Sequence, residues 1–149
     1  MSASDSATQP GQGDPGTFVH RLQVRYAETD QMGRAHHANY LLYLEEARTR
    51  WLAQAGCSYA ELEREGVGLP VRSVQIRYFE AALYEDVLEV ELSVSRLRGA
   101  SVTLEGLVRR AADGQRIARG TVELACIRMR PGEPQVIPLP DAVRRVFEG

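Results

Sequence analysis

Short runs in which apolar and polar residues alternate fill the second half of this chain, and they limit its fold more than any other feature. Residues 86–95, DVLEVELSVS, show the two-residue period of a strand with one buried face. Three further segments have the composition of strands: residues 71–80, 101–111 and 116–129. The pair Asp113-Gly114 is typical of the tight turn of a hairpin. Consecutive strands with such short connections predict an antiparallel sheet.

A single long helix is predicted ahead of these strands. Its apolar residues recur at three- and four-residue spacing and form one stripe: Tyr40, Tyr43, Leu44, Ala47, Trp51 and Ala55. The helix is predicted over residues 38–54, and Gly56 is suited to end it. Residues 18–26 alternate like a strand, and shorter helices are predicted over residues 58–65 and 141–147.

The order of one strand, one long helix and then four strands predicts an α+β domain. In such a domain the helix packs on one face of an antiparallel sheet of about five strands. One helix covers little of a sheet of this size, which favours pairing with a second subunit.

The N-terminal segment differs in composition from the rest. Its sequence, MSASDSATQPGQGDPG, is polar and rich in Ser, Gly and Pro. It lacks the apolar core of a signal peptide, so residues 1–16 are predicted to be a disordered leader before a single domain over residues 17–149. No apolar run reaches the length that spans a membrane. We therefore expect a cytoplasmic protein with no membrane partner.

The charge balance argues against nucleic acid as a partner. The net charge is −2 at pH 7, whereas nucleic-acid-binding domains carry a basic face. All 18 basic residues are Arg, so any phosphate contact must come from a guanidinium. Cys57 and Cys126 have neither the spacing of a metal site nor that of a disulfide framework, and both are predicted to be free thiols.

Residues 25–52, RYAETDQMGRAHHANYLLYLEEARTRWL, hold the candidate functional residues. Taken alone, an Asp shortly before a Gly is typical of turn chemistry. His36 and His37 are adjacent but have no third ligand at a suitable spacing, so no metal site is predicted.

This segment resembles the 4-hydroxybenzoyl-CoA thioesterase-like family, and within it the acyl-CoA thioesterases of the Tol–Pal-associated type. That family carries an Asp, a Gly three residues later, a Tyr ten residues after the Asp, and a Glu-x-Ala-Arg run in the following helix. Here these are Asp30, Gly33, Tyr40 and the run from Glu45 to Arg48. The resemblance covers roughly residues 18–140 and ends in the tail VIPLP.

The resemblance implies the hot-dog fold, in which one long central helix is wrapped by an antiparallel sheet of about five strands. It implies hydrolysis of acyl-CoA thioesters to the free acid and CoA, without a metal or an organic cofactor. It also implies homo-oligomers, dimers that pair into tetramers, with active sites at the dimer interface. The acyl group stays open, as does the choice between CoA and acyl-carrier protein as its carrier.

The resemblance also assigns roles to residues. Asp30 either attacks the thioester to give a mixed anhydride or activates a water as general base. The backbone amide of His37, at the positive start of the helix, is the expected oxyanion donor. The His37 side chain is an acid–base group, a substrate contact or neither. The candidates for substrate binding, of which the arginines suit the phosphates of CoA, are Gly33, Tyr40, Arg72, Arg98 and Ser101.

Two other functions use the same fold. A hydratase or dehydratase needs an Asp closely followed by Asn-Pro and His, and this chain has no Asn-Pro pair. A non-catalytic module that binds acyl-CoA or acyl-carrier protein does not need Asp30, whose presence favours hydrolysis. Some hot-dog thioesterases carry the catalytic carboxylate on the helix, where Glu45 lies. Because Asp30 already occupies the loop position, Glu45 is interpreted as structural or as a partner of Arg48.

Overall fold

The computed structural model describes residues 16–129 and 132–149, so the leader predicted for residues 1–16 lies outside it apart from Gly16. Three α-helices are present there: α1, Asn39–Gln54; α2, Tyr59–Arg64; and α3, Asp141–Glu148. Eight strands are present in the same residues: β1, Thr17–Gln23; β2, Val67–Gly68; β3, Val71–Tyr78; β4, Val87–Leu97; β5, Ser101–Arg110; β6, Arg116–Ala125; β7, Ile127–Arg128; and β8, Gln135–Val136. None of these helices has the length and hydropathy needed to cross a membrane.

Five of the strands form one antiparallel sheet in the order β1-β4-β5-β6-β3. In β4, Leu88, Val90 and Leu92 are buried, whereas the residues between them are partly exposed on the opposite face. The predicted α+β class, with one long helix on a five-stranded antiparallel sheet, is confirmed. A second sheet, in the order β2-β7-β8, is not predicted by alternation, because strands of two residues carry no period.

The long helix α1 approaches the sheet closely at a pair of glycines. Gly106 of β5 and Gly120 of β6 are cross-strand partners, and a Cβ atom at either position would overlap Leu44 of α1. The missing side chains make room for the helix. Farther along α1, Trp51 stacks on Phe18 of β1 with 5.8 Å between the ring centroids, which ties the helix to the first strand.

We expect Gly106→Ala to lower the free energy of unfolding by about 1–3 kcal/mol, because Leu44 is buried and cannot move aside without displacing its neighbours. Chemical denaturation followed by circular dichroism measures this change. Gly99→Ala is the matched control, since a Cβ atom at Gly99 meets nothing within 4 Å. Equal stability of the two variants would contradict the close approach of helix and sheet.

The strand β3 forms an edge of the sheet and keeps apolar side chains at the surface. In the described residues it pairs with β6 along one side only. Val71 is 47% exposed, Val74 41% and Tyr78 47%. By contrast, Phe18 of the opposite edge strand, β1, is buried under α1. An edge strand with apolar side chains and open backbone groups is suited to pairing with another chain.

Candidate active site

Asp30 lies at the first position of a tight turn that follows a 3₁₀ turn at Tyr26–Glu28. The Gly33 amide donates to the Asp30 carbonyl oxygen at 3.0 Å, and Gly33 has a φ of 76°, which favours glycine. The Oδ1 atom of Asp30 accepts hydrogen bonds from the amides of Met32 at 2.8 Å and Arg34 at 3.3 Å. Two amides therefore orient the carboxylate, while Oδ2 has no hydrogen-bond partner within the described part of the chain.

The chain enters α1 through His36 and His37. The His36 amide donates to the Glu28 carbonyl oxygen at 2.8 Å, and the His36 Nδ1 atom accepts from the Ala38 amide at 3.2 Å. The Asn39 amide donates to the His36 carbonyl oxygen at 2.9 Å. The His37 amide, by contrast, has no acceptor among the residues that the structure describes. It is an unpaired donor at the positive end of α1, the arrangement that an oxyanion site requires.

Two tyrosines form a wall between α1 and the end of β3. The Tyr78 hydroxyl donates to the His37 carbonyl oxygen at 3.1 Å, and its ring centroid lies 5.4 Å from that of Tyr40. The Tyr40 hydroxyl accepts a hydrogen bond from the Ala82 amide at 3.2 Å. Burial raises the pKa of Tyr40, and the hydrogen bond from Ala82 offsets only part of this effect. Tyr40 is therefore a neutral phenol at pH 7.

These groups line one cavity with a volume of about 370 Å³. Of the residues proposed from the sequence, Asp30, His37 and Tyr40 lie in its wall. Gly33 shapes the turn that carries Asp30. The structure thus brings four candidates of the motif segment into one place, although their roles stay predictions.

Seven further residues of the cavity wall are not among the sequence candidates, and four of them carry a charged or aromatic side chain: Arg34, Tyr78, Phe79 and Glu80. Arg34 belongs to the motif segment, and its positive charge next to Gly33 is a signal that the sequence offers. The other three lie at the last residue of β3 and in the two residues that follow it, about forty residues farther along the chain, where no spacing rule links them to the motif.

The three remaining candidates lie at the opposite end of the sheet. Arg72 stands at the start of β3 and Tyr78 at its end, about 20 Å away along an extended strand. The Arg72 Nη2 atom pairs with Glu123 at 2.8 Å, in a groove that Arg98 also lines. Ser101 is 6% exposed and offers little surface to a ligand. Within one chain these three residues do not adjoin Asp30.

Two other carboxylates near the motif already have partners. Glu28 accepts hydrogen bonds from the Arg25 amide at 2.9 Å, from the Arg25 Nε atom at 3.0 Å and from the Tyr43 hydroxyl at 2.9 Å. Burial alone would raise the pKa of Glu28, but these hydrogen bonds outweigh it and hold the pKa below its ordinary value. Glu45 lies 3.6 Å from the Arg48 Nη2 atom, which agrees with its interpretation as a partner of Arg48.

The site lies in a region that a known family shares. The profile of the thioesterase-like superfamily matches residues 24–147, which include the Asp30 turn, all of α1 and the whole five-stranded sheet except β1. The chain belongs to this superfamily. It is a thioester hydrolase, and the enzyme class predicted from the sequence is confirmed.

Relatives and solved structures agree with this membership. The acyl-CoA thioesterase YbgC of Haemophilus influenzae is 30% identical over 131 residues, which are 87% of this thioesterase and 93% of that protein. The 1,4-dihydroxy-2-naphthoyl-CoA thioesterase from Synechocystis matches with a TM-score of 0.83 at 26% identity, over 89% of this chain and 96% of that one. The DHNA-CoA thioesterase from Staphylococcus aureus matches with a TM-score of 0.75 at 28% identity, over 80% of each chain. The predicted family and hot-dog fold are confirmed.

Proposed function

We propose that this thioesterase hydrolyses acyl-CoA esters to the free acid and CoA at the cavity that Asp30 and His37 line. The observation that carries the proposal is the pairing of an oriented carboxylate with an unpaired amide at the start of α1, both in residues of one cavity wall. The names of the relatives support CoA as the carrier of the acyl group, because the Haemophilus protein and the solved structures above are thioesterases for CoA esters by name.

Hydrolysis needs an oxygen nucleophile at the thioester carbon and a donor for the carbonyl oxygen. Asp30 supplies the first in one of two ways. Its Oδ2 atom attacks the carbon to give a mixed anhydride that water then cleaves, or the carboxylate takes a proton from a water that attacks. In both routes, the carbon–sulfur bond of the thioester breaks and the CoA thiolate leaves. Negative charge on the carbonyl oxygen is stabilised by the His37 amide and the positive end of α1.

The other residues of the cavity serve binding in this proposal. The Tyr40 hydroxyl accepts a hydrogen bond from the Ala82 amide, and Tyr40 forms a neutral part of the cavity wall. Arg34 is the exposed cation of the cavity wall and suits a phosphate or carbonyl of the substrate. The His37 ring is exposed and stacks on His36 at 4.3 Å, where it is accessible to protonate the departing thiolate.

The proposal includes a homodimer formed along β3, dimers that pair into tetramers, and a cytoplasmic location. A two-fold pairing of edge strands is antiparallel, so it sets the start of β3 in one chain beside the end of β3 in the other. The end of the sheet that holds Arg72, Arg98 and Ser101 then lies next to the Asp30 end of the second chain. Two chains together therefore bring Arg72 and Arg98 of one chain toward the substrate at Asp30 of the other, whereas Ser101 stays buried.

Thiol release from a panel of acyl-CoA esters tests the proposal. The panel covers short, medium, long and aromatic acyl groups, and the same groups on acyl-carrier protein compare the two carriers. We expect turnover of at least one class of CoA ester. Binding of acyl-CoA without any thiol release would contradict hydrolysis and would favour the non-catalytic binding module.

A further inference from the structure

Glu28 lies two residues before Asp30 and connects the Asp30 turn to α1 through both its main chain and its side chain. Its carbonyl oxygen accepts hydrogen bonds from the His36 amide and from the Asn39 Nδ2 atom, each at 2.8 Å. Its Oε1 atom accepts from the Tyr43 hydroxyl at 2.9 Å. One residue therefore binds donors from the entry to α1 and from the first two turns of the helix.

The side chain of Glu28 is shielded and its charge is balanced. It is 15% exposed, and the Arg25 amide and guanidinium donate to its two oxygens. The ring of Tyr43 is buried in the core between α1 and the sheet. Burial, followed by the hydrogen bond to the Glu28 carboxylate, raises the pKa of Tyr43, so its hydroxyl stays protonated and remains a donor. The contact between Glu28 and Tyr43 is thus maintained at neutral pH.

The segment between Glu28 and His36 is a closed loop. Thr29 and Ala35 pair as an antiparallel bridge, and the Asp30 amide donates to the Arg34 carbonyl oxygen at 2.8 Å. Glu28 stands at one end of this loop and holds the other end through the His36 amide. A displacement of Glu28 therefore moves the Asp30 carboxylate relative to the start of α1.

We propose that Glu28 is a positioning residue, which fixes the geometry between the Asp30 carboxylate and the His37 amide by tying the Asp30 turn to α1. The inference rests on the proposed function of Asp30. Glu28 does not belong to the cavity wall, so it acts through Asp30 and not through contact with the substrate. Small displacements of a reacting group reduce turnover steeply, which is why such a tie matters for the rate.

Three variants separate the contacts of Glu28. Glu28→Ala removes the carboxylate, and Tyr43→Phe removes only the hydroxyl that donates to it. Glu28→Gln keeps an oxygen at Oε1 for Tyr43 and for the Arg25 amide, so it serves as the conservative rescue. We expect kcat to fall about 10–10²-fold in Glu28→Ala, less in Tyr43→Phe, and only about threefold in Glu28→Gln, with KM nearly unchanged in all three.

A control variant and a comparison in an Asp30→Asn background distinguish a positioning role of Glu28 from a merely structural one. Glu105→Gln removes a carboxylate charge outside the cavity wall, where Glu105 forms an exposed ion pair with Arg119 at 3.7 Å, and is expected to keep wild-type kcat. In an Asp30→Asn background, Glu28→Ala is expected to reduce kcat by no more than about twofold, because its effect passes through Asp30. Thermal melts of each variant show which fraction is folded during the assay.

Two results would overturn the inference. One is wild-type kcat in both Glu28→Ala and Tyr43→Phe, and the other is an equal loss with and without Asp30. If Glu28→Ala does not fold, Tyr43→Phe in the two backgrounds makes the same comparison with a single hydroxyl removed. Failure of the proposed function gives a different result, because Asp30→Asn alone would then keep its turnover whatever Glu28 does.

Discussion

Replacing Asp30 with Asn is expected to reduce the turnover of acyl-CoA about 10²–10⁴-fold, the range for a positioned acid–base or nucleophilic group. The fold should not change, because the Asn oxygen can still accept the hydrogen bonds that the amides of Met32 and Arg34 donate to Oδ1. The turn also keeps Gly33 and its hydrogen bond to the main chain of residue 30. What the variant loses is the negative charge at Oδ2.

Thiol release measured for wild type and Asp30→Asn checks this prediction, and a thermal melt checks the fold. Thr29→Val is the neighbouring control: the Thr29 hydroxyl donates to the Tyr26 carbonyl oxygen at 2.7 Å, and Thr29 is not part of the cavity wall. It should change turnover far less. Undiminished hydrolysis by Asp30→Asn would remove the central residue of the proposed function.

Single-turnover hydrolysis in ¹⁸O-labelled water distinguishes the two routes open to Asp30, nucleophilic attack and general-base catalysis. If the carboxylate attacks and water then cleaves the mixed anhydride at the aspartyl carbon, mass spectrometry finds label in the peptide that holds Asp30. If the carboxylate acts as general base, all the label appears in the product acid. Cleavage of the anhydride at the acyl carbon also labels the acid, so label in the protein proves the first route.

Much of the fold follows from periodicity alone. The alternation of Leu88, Val90 and Leu92 identifies β4, and the Asp113-Gly114 pair marks the turn between β5 and β6, where Gly114 has a φ of 73°. These features are local, so the sequence carries them in full. The small sheet of β2, β7 and β8 is different: its strands are too short to show a period, and only tertiary pairing defines them.

The residues of the site differ in the same way in how far the sequence predicts them. Asp30, Gly33, His37 and Tyr40 lie within eleven residues, so a local turn and the start of a helix are enough to bring them together. Tyr78 reaches the His37 carbonyl oxygen from another element, 41 residues away in the chain, and no local pattern indicates this contact.

Glu28 shows a third kind of difficulty. It lies inside the motif segment, but its importance depends on the side chain of Tyr43, which approaches it only after α1 packs on the sheet. Arg72 and Arg98 differ from Glu28, because the contacts proposed for them involve a second chain. Their place relative to Asp30 cannot follow from the order of residues in one chain.

The second large effect is expected from Val74→Arg, which should break the pairing along β3, lower the mass of the oligomer and reduce turnover by at least about tenfold. Val74 is 41% exposed near the middle of β3. In a two-fold pairing of this strand, a central residue lies close to its own copy, so one substitution sets two positive charges against each other. Val136→Arg is the matched control, because Val136 is 66% exposed on the small sheet and lies outside the proposed interface.

Sedimentation velocity gives the mass of each variant, and thiol release gives its turnover. A Val74→Arg variant of lower mass that remains folded but loses turnover supports an active site completed by two chains across β3. It also explains why Arg72 and Arg98 lie so far from Asp30 within one chain. A folded variant of lower mass with full turnover would limit the site to the Asp30 end of one subunit, where Arg34 is the exposed cation of the cavity wall. An unchanged mass would contradict an interface along β3. The exposed Leu41 and Leu42 of α1 would then be the next surface to substitute.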